Sequence, residues 1–179
     1  RRRAAVPDPA RGQQARGAAG GRRAGGLRQR DPAERRRADH YSPQPRNQQE
    51  IDYIRDDVVS EILGTSSSFG IVLGDIMYND LSLNEPYVEV IRQTGIPFYH
   101  VPGNHDMNFD AIDDQRSLET FKRIYGPPYY GFEYGKVHFI VLDDVEYLGY
   151  NEEGKSHYQG NLGKKQLQWL ENYLVQIPE

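Results

Sequence analysis

Gly103-Asn104-His105-Asp106 follows directly on the apolar run Ile96-Pro97-Phe98-Tyr99-His100-Val101, and Gly74-Asp75 follows directly on Phe69-Gly70-Ile71-Val72-Leu73. Each delivers oxygen or nitrogen ligands on a glycine turn at the end of a short apolar segment. Hydrolysis of a phosphate ester needs a nucleophile at neutral pH and positive charge where the leaving group departs. Two cations about 3.5 to 4 Å apart supply both, by lowering the pKa of a bound water to about 7 and clamping the phosphoryl oxygens. A carboxylate bridges two such ions well because its two oxygens reach both, and this is the role expected of Asp75. Asn104 offers one ion a neutral carbonyl oxygen. His105 can give a proton or hydrogen bond to the leaving oxygen, and Asp106 is expected to hold the imidazole's orientation. A lone Gly-Asp after a strand has an ordinary explanation, since Asp commonly caps the helix that follows. Paired with Gly-Asn-His-Asp at the next strand end, it points to a metal site.

The elements that must position these residues are legible as patterns. Phe69 to Leu73 and Ile96 to Val101 are short, continuously apolar strands, buried on both faces. Between them Asn84 is placed to cap a helix through Tyr87, Val90 and Ile91, stopped by Gly95. Strand, helix, strand in that order is a parallel βαβ unit. Upstream, Gln48 to Leu63 sets Ile51, Ile54, Val58, Val59, Ile62 and Leu63 at helical spacing, with Gly64 as a C-terminal glycine. Downstream, a short helix opens at Ser117 and stops before Pro127-Pro128. Two strands, Tyr129 to Tyr134 and Lys136 to Asp143, meet at Gly135 as a hairpin. Tyr147 to Gly163, rich in Gly and Asn, reads as a long loop beside the site. Lys164 to Ile177 is a final helix with Leu167, Leu170, Leu174 and Ile177 in one stripe and Trp169 beside it.

Composition divides the chain unevenly. Residues 1–40 hold twelve arginines against Asp8, Asp31, Glu34 and Asp39, a net of +8, while residues 41–179 hold ten basic and twenty-two acidic groups, a net of −12. With Val6 and Leu27 its only large aliphatics, the first segment cannot bury enough apolar surface to offset the entropy of ordering, and it reads as a disordered arm. A nucleic-acid partner is not expected from it, because no aromatic is interleaved with the arginines. Arg, Ala, Gly and Pro also dominate when GC-rich DNA is translated out of frame. That origin is a hypothesis, which fails if neither other frame of the parent gene yields strand-like apolar segments. Arg rather than Met at position 1 leads us to expect a partial gene product. The chain has no cysteine, so any metal must take oxygen and nitrogen ligands, a set that suits manganese, iron or zinc. No stretch reaches the ~18 apolar residues of a membrane span.

From about Tyr41 to Glu179 the chain resembles the first half of a calcineurin-like metallophosphoesterase domain. Gly74-Asp75 and Gly103-Asn104-His105-Asp106 match two of that family's motifs, and Gln166-Leu167-Gln168-Trp169-Leu170 is similar to a helix segment that recurs in it. The resemblance implies an α/β fold, an incomplete two-sheet metallophosphoesterase sandwich on a βαβ core preceded by the Arg-rich arm. It also implies two divalent or mixed-valence metal ions and a phosphomonoester or phosphodiester substrate. Where the family's first motif has Asp-x-His, this chain has Ser42-Pro43-Gln44, so Gln44 stands in as a metal ligand and Ser42 occupies the Asp position. The second-half ligands, a lone His and a Gly-His-x-His motif, are not found before Glu179. The expectation is therefore a fragment that binds metal weakly and has little activity, since catalytic metals usually take at least three protein ligands each. The alternative is a scaffold or binding fragment that keeps the fold without a competent site. Oligomeric state, compartment and substrate are left open, although an unpaired sheet edge would favour self-association.

Other candidates have plainer readings. His100 and His138 lie within strands and are taken as structural, His157 as a solvated loop residue, and Asp143 and Asp144 as turn formers. Gly74-Asp75-Ile76-Met77-Tyr78 also fits the Gly-Asp-x-x-Tyr pattern of purple acid phosphatases, which would make Tyr78 a ligand to ferric iron. With thirteen tyrosines in the chain a chance match comes easily.

Overall fold

β2 (Phe69–Leu73) is the middle strand of a parallel sheet, flanked by β1 (Ala38–Tyr41) and β3 (Phe98–Val101). The registers place Ala38 beside Phe69 and Gly70 beside Phe98. The computed structural model describes residues 38–41 and 43–177. Most of the Arg-rich arm, the suspected frame-shifted stretch and Ser42 fall outside the described residues. Ala38, Asp39 and His40, on the arm side of the expected boundary at residue 40, are in β1. Backbone pairing to an exposed strand edge needs no apolar pattern, so composition gave no sign of this strand.

Alternation along β2 and β3 sends side chains to two faces. One face carries Val72 and Phe98 into the main core, where they join Ile51 and Ile54 from the first helical segment, Tyr87, Val90 and Ile91 from α3 (Asn84–Ile91), and Phe121 from α5 (Glu119–Tyr125). Gly70 lies on this face because its backbone touches the Phe98 ring; a Cβ there would sit 2.3 Å from it. The opposite face carries Phe69 and Tyr99, and onto it packs the antiparallel hairpin of β4 (Tyr130–Tyr134) and β5 (Val137–Val141). Tyr99 stacks on Phe132 with ring centroids 3.6 Å apart, and Phe69 meets Phe132 and Phe139 edge-on at 5.7 and 5.4 Å. The result is a mixed α/β arrangement with helices on one side of a small sheet and a hairpin on the other.

The expected helix from Gln48 to Leu63 runs as α1 (Gln48–Tyr53), a π-helical stretch Ile54–Val58 and α2 (Val59–Leu63). Its N-terminus is capped by Asn47, whose side chain accepts the Glu50 N–H at 3.0 Å. Gly64 does not adopt the left-handed conformation expected of it; its φ is −77° and its N–H donates to Glu61 O. Gly95, at φ 71°, does close α3 and the 3-10 turn that follows it in that way. Asn84 is not a side-chain cap either. It is buried, donating to Leu81 O at 2.9 Å and accepting from Tyr125 Oη at 2.6 Å, which ties α3 to α5.

The segment expected to be a long loop is mostly a second hairpin, β6 (Val145–Tyr150) paired antiparallel with β7 (Ser156–Gly160). Its Gly and Asn residues serve the turn, where Asn151 Oδ1 accepts from Glu153 N and Lys155 N. Buried Tyr147 anchors it, with its N–H donating to Asp114 of α4 (Asp114–Ser117) and its hydroxyl to Phe109 O. α6 (Lys164–Leu174) packs through Trp169 on Tyr129 and through Tyr173 on Gly131, while Leu167 and Leu174 of the expected apolar stripe are exposed. The residue of α6 that is buried is polar. Gln166 accepts the Asp143 N–H at 2.8 Å and donates to the Asp143 carbonyl at 2.6 Å, clipping α6 to the end of β5.

Candidate functional site

The C-terminal ends of β2 and β3 turn toward each other. Gly74 leaves β2 at φ 82° and Asp75 follows at φ 47°, so the chain bends back before it can start a helix. Gly103, after β3, lies against this bend so closely that a Cβ on it would be 2.3 Å from the Asp75 nitrogen. Only a residue without a side chain lets the two turns meet. His105 N–H then donates to Asp75 Oδ1 at 3.1 Å, and Gln44 Nε2 donates to Asp75 Oδ2 at 3.2 Å. The ordinary explanation for a strand-end Asp fails here, because the next helical turn, Leu81–Leu83, is capped by Asp80. Asp75 and Asn104 line one cleft of about 490 Å³ together with Gly74, Gly103 and Asp144. The local spacing of Asp144 suggests only a turn former, and it is the fold that brings it to this wall.

Asp106 does not orient the imidazole. Its carboxylate turns inward and accepts N–H groups from Met77 at 3.0 Å and Gly103 at 2.8 Å, so it cross-links the two strand-end loops from beneath. Burial pushes its pKa up to about 6 although those N–H groups favour the charged form. The partner of His105 is Asn79, whose Oδ1 lies 2.5 Å from Nδ1. With the proton on Nδ1 the amide oxygen accepts it, and Nε2 is left as the ring nitrogen available to another group. Tyr78 stacks on the same imidazole, centroids 4.9 Å apart, and the Arg46 guanidinium lies 4.3 Å over the Tyr78 ring. Gln44, Asp75 and Asn79 are the non-glycine residues with positive φ among the described residues, at 42°, 47° and 128°. Backbone strain gathered at one place is a common mark of a functional constellation.

The remaining histidines lie elsewhere. His100 packs between Tyr87 and Tyr125, its Nε2 buried without a hydrogen-bond partner among the described residues, and burial pushes its pKa down to about 3. His138 Nδ1 is buried and unpartnered in the same sense, in β5, and His157 is exposed on β7. Among the described residues no three His, Asp or Glu side chains are grouped so as to hold a metal. The donors at the strand ends are instead one carboxylate and two amides: Asp75, Asn104 and Gln44. All three offer oxygen, which fits a hard or borderline divalent cation in kind. In number they fall short of two complete coordination spheres.

No family model matches the chain, and no solved structure matches it. Over 114 residues, 61% of its length, it is 31% identical to a probable glycerophosphodiester phosphodiesterase, GpdQ, of Arcobacter nitrofigilis. The match covers 37% of that protein, so the chain corresponds to well under half of its relative.

Proposed function

We propose that the strand-end loops of this chain are part of a metal-dependent phosphoesterase site of the calcineurin-like kind, acting on a phosphodiester or phosphomonoester. The observation that carries this reading is the junction of the two loops. Gly103 presses on Asp75, His105 N–H bonds the Asp75 carboxylate, and Asn104 shares its cleft. The similarity to a glycerophosphodiester phosphodiesterase adds independent weight and favours a diester. Asp75, Asn104 and Gln44 are the residues that would hold metal. A bound divalent cation would supply an acidified water and positive charge facing the phosphoryl oxygens.

The chain's own groups have separate tasks. Asp75 keeps a fixed carboxylate at the base of the cleft, where it accepts the His105 N–H and the Gln44 side-chain N–H. Asp106 keeps the two loops at fixed separation. Asn79 and Tyr78 fix the His105 ring, so that Nε2 meets the oxygen of the departing alcohol and, when it carries a proton, delivers it there. Orientation of this kind accounts for a large share of acid–base assistance in enzymes.

With one carboxylate and two amides, metal binding by this chain is weak. Calorimetric titration with Mn²⁺ or Zn²⁺ is the test, with weak binding expected that Asp75→Asn abolishes. Tight two-ion binding would refute the incomplete-site reading, and indifference to Asp75→Asn would refute the ligand assignment. The shortage of acidic ligands also favours a second reading, a binding or scaffold unit without hydrolysis. A chromogenic phosphodiester assayed with saturating Mn²⁺ separates the two, since only the first predicts turnover that His105→Ala removes.

A further inference from the structure

Five arginines lie beyond residue 41. Four of them pair with carboxylates: Arg55 with Asp52 and Asp56, Arg92 with Glu89, Arg116 with Asp113, and Arg123 with Glu85. The guanidinium of Arg46 has no carboxylate partner among the described residues, although this part of the chain carries a net charge of −12. An unpaired guanidinium on an acid-rich surface is an unusual arrangement, because mobile arginines usually find an acid within reach.

Arg46 is also held in place. Pro45, just before it, is fully buried and accepts the Tyr78 N–H through its carbonyl at 3.3 Å, and Gln44 bonds Asp75. Arg46 N–H donates to Glu50 Oε2 at 2.7 Å, fixing the backbone at the start of α1. The guanidinium then rests on Tyr78, a geometry favoured by the ring's negative face, and Tyr78 stacks on His105. The cation thus stands one ring away from the imidazole, on its Tyr78 side, with its N–H edge available. Guanidinium is the side-chain group best matched to carboxylate and phosphate, which it binds through two parallel N–H bonds.

We propose that Arg46 is a specificity-determining residue that binds an anionic group on the leaving-alcohol portion of the substrate, so that the site favours phosphate esters whose alcohol carries a carboxylate or a second phosphate. This rests on the reading of His105 as the group that serves the departing oxygen. Neutral leaving groups gain nothing from Arg46, and a cationic amine there is disfavoured. Contact of this kind at a partly exposed site is worth a few-fold in affinity and weakens with salt.

The test uses two non-hydrolysable probes of the same shape, (4-carboxybenzyl)phosphonate and (4-carbamoylbenzyl)phosphonate, titrated into the ¹⁵N-labelled chain. The carboxylate probe is expected to bind about three-fold tighter and to shift the Arg46 Nε–H resonance, whereas the carbamoyl probe leaves it in place. Both move the His105 ring nitrogens. In R46Q the preference disappears, and in R46K, which keeps the charge but loses the paired N–H bonds, it is partly retained. Equal affinity and an unmoved Arg46 resonance with both probes would overturn the proposal, and because that result is read on the unaltered chain it does not depend on the variants folding. A shift at Arg46 with none at His105 would leave the anion site standing and remove the role given to His105.

Discussion

At Gly103 one missing methyl group decides whether the two loops can meet. An alanine Cβ would sit 2.3 Å from the Asp75 backbone nitrogen, which cannot swing aside, and 2.4 Å from Asp75 Oδ1, which can do so only by giving up the His105 N–H. Gly103→Ala should therefore force the loops apart, costing about 1–3 kcal/mol, the usual range for overpacking. It should also break the His105 N–H bond to Asp75. Urea denaturation reads the first effect, and loss of hydrogen-exchange protection at the His105 amide reads the second. Gly74 and Gly103 were visible in the sequence as strand-end glycines next to polar groups. Asn79 was not, because a partner 26 residues from His105, reached through a residue at φ 128°, leaves no local pattern. Asp106 illustrates the converse. Its place beside His105 pointed to a shared task, but adjacent residues on a tight turn face different ways.

Elements are joined here by a few polar clips as much as by apolar contact. Gln166 is the clearest case, a buried amide that satisfies both the N–H and the carbonyl of Asp143 and so fastens α6 to the end of β5. Gln166→Ala would leave both backbone groups without partners, at about 1–3 kcal/mol each. Allowing for water reaching the gap, a total loss near 3 kcal/mol is expected in chemical denaturation. Gln166→Glu, which keeps the acceptor but not the donor, should recover part of it. The β4–β5 hairpin shows what sequence pattern reads well, since the segment Tyr129 to Tyr134 before Gly135 and the apolar residues Val137, Phe139, Ile140, Val141 and Leu142 after it marked the two strands. The β6–β7 hairpin shows what it reads poorly. β7, Ser-His-Tyr-Gln-Gly, is almost wholly exposed, and a solvated strand has no apolar stripe to betray it.

Across the whole molecule, burial of acids sets a pH dependence. Asp106 and Asp143 both have their pKa raised from 3.8 to about 6, in each case chiefly because burial disfavours the charge. Between those limits the two carboxyls bind more protons in the folded chain than in the unfolded one, opposing buried His100, which binds fewer there. Their contribution to stability is thus greatest near pH 4, falls as pH rises through 6, and is level beyond that. Asp143→Asn removes one of the two groups while keeping an oxygen for the Val145 N–H, which the carboxylate accepts at 3.3 Å. Denaturation midpoints measured from pH 4 to 7 should fall less steeply in this variant than in the parent chain. An identical slope would show that Asp143 titrates normally.

What the sequence determined by itself is local: two apolar strands ending in glycine and metal-type ligands, the helix between them, and the aromatic hairpin after them. Each follows from short-range periodicity and turn chemistry, which act within a few residues. Tertiary structure decided which of those ligands meet. It sent Asp106 under the loops, gave His105 to Asn79 and Tyr78, set the Arg46 guanidinium beside them with no carboxylate partner among the described residues, and brought Asp144 to the cleft wall. Those outcomes depend on distances between segments far apart in the chain, from 26 residues for His105 and Asn79 upward, and such distances are fixed only when β2, β3 and the helices pack into one core.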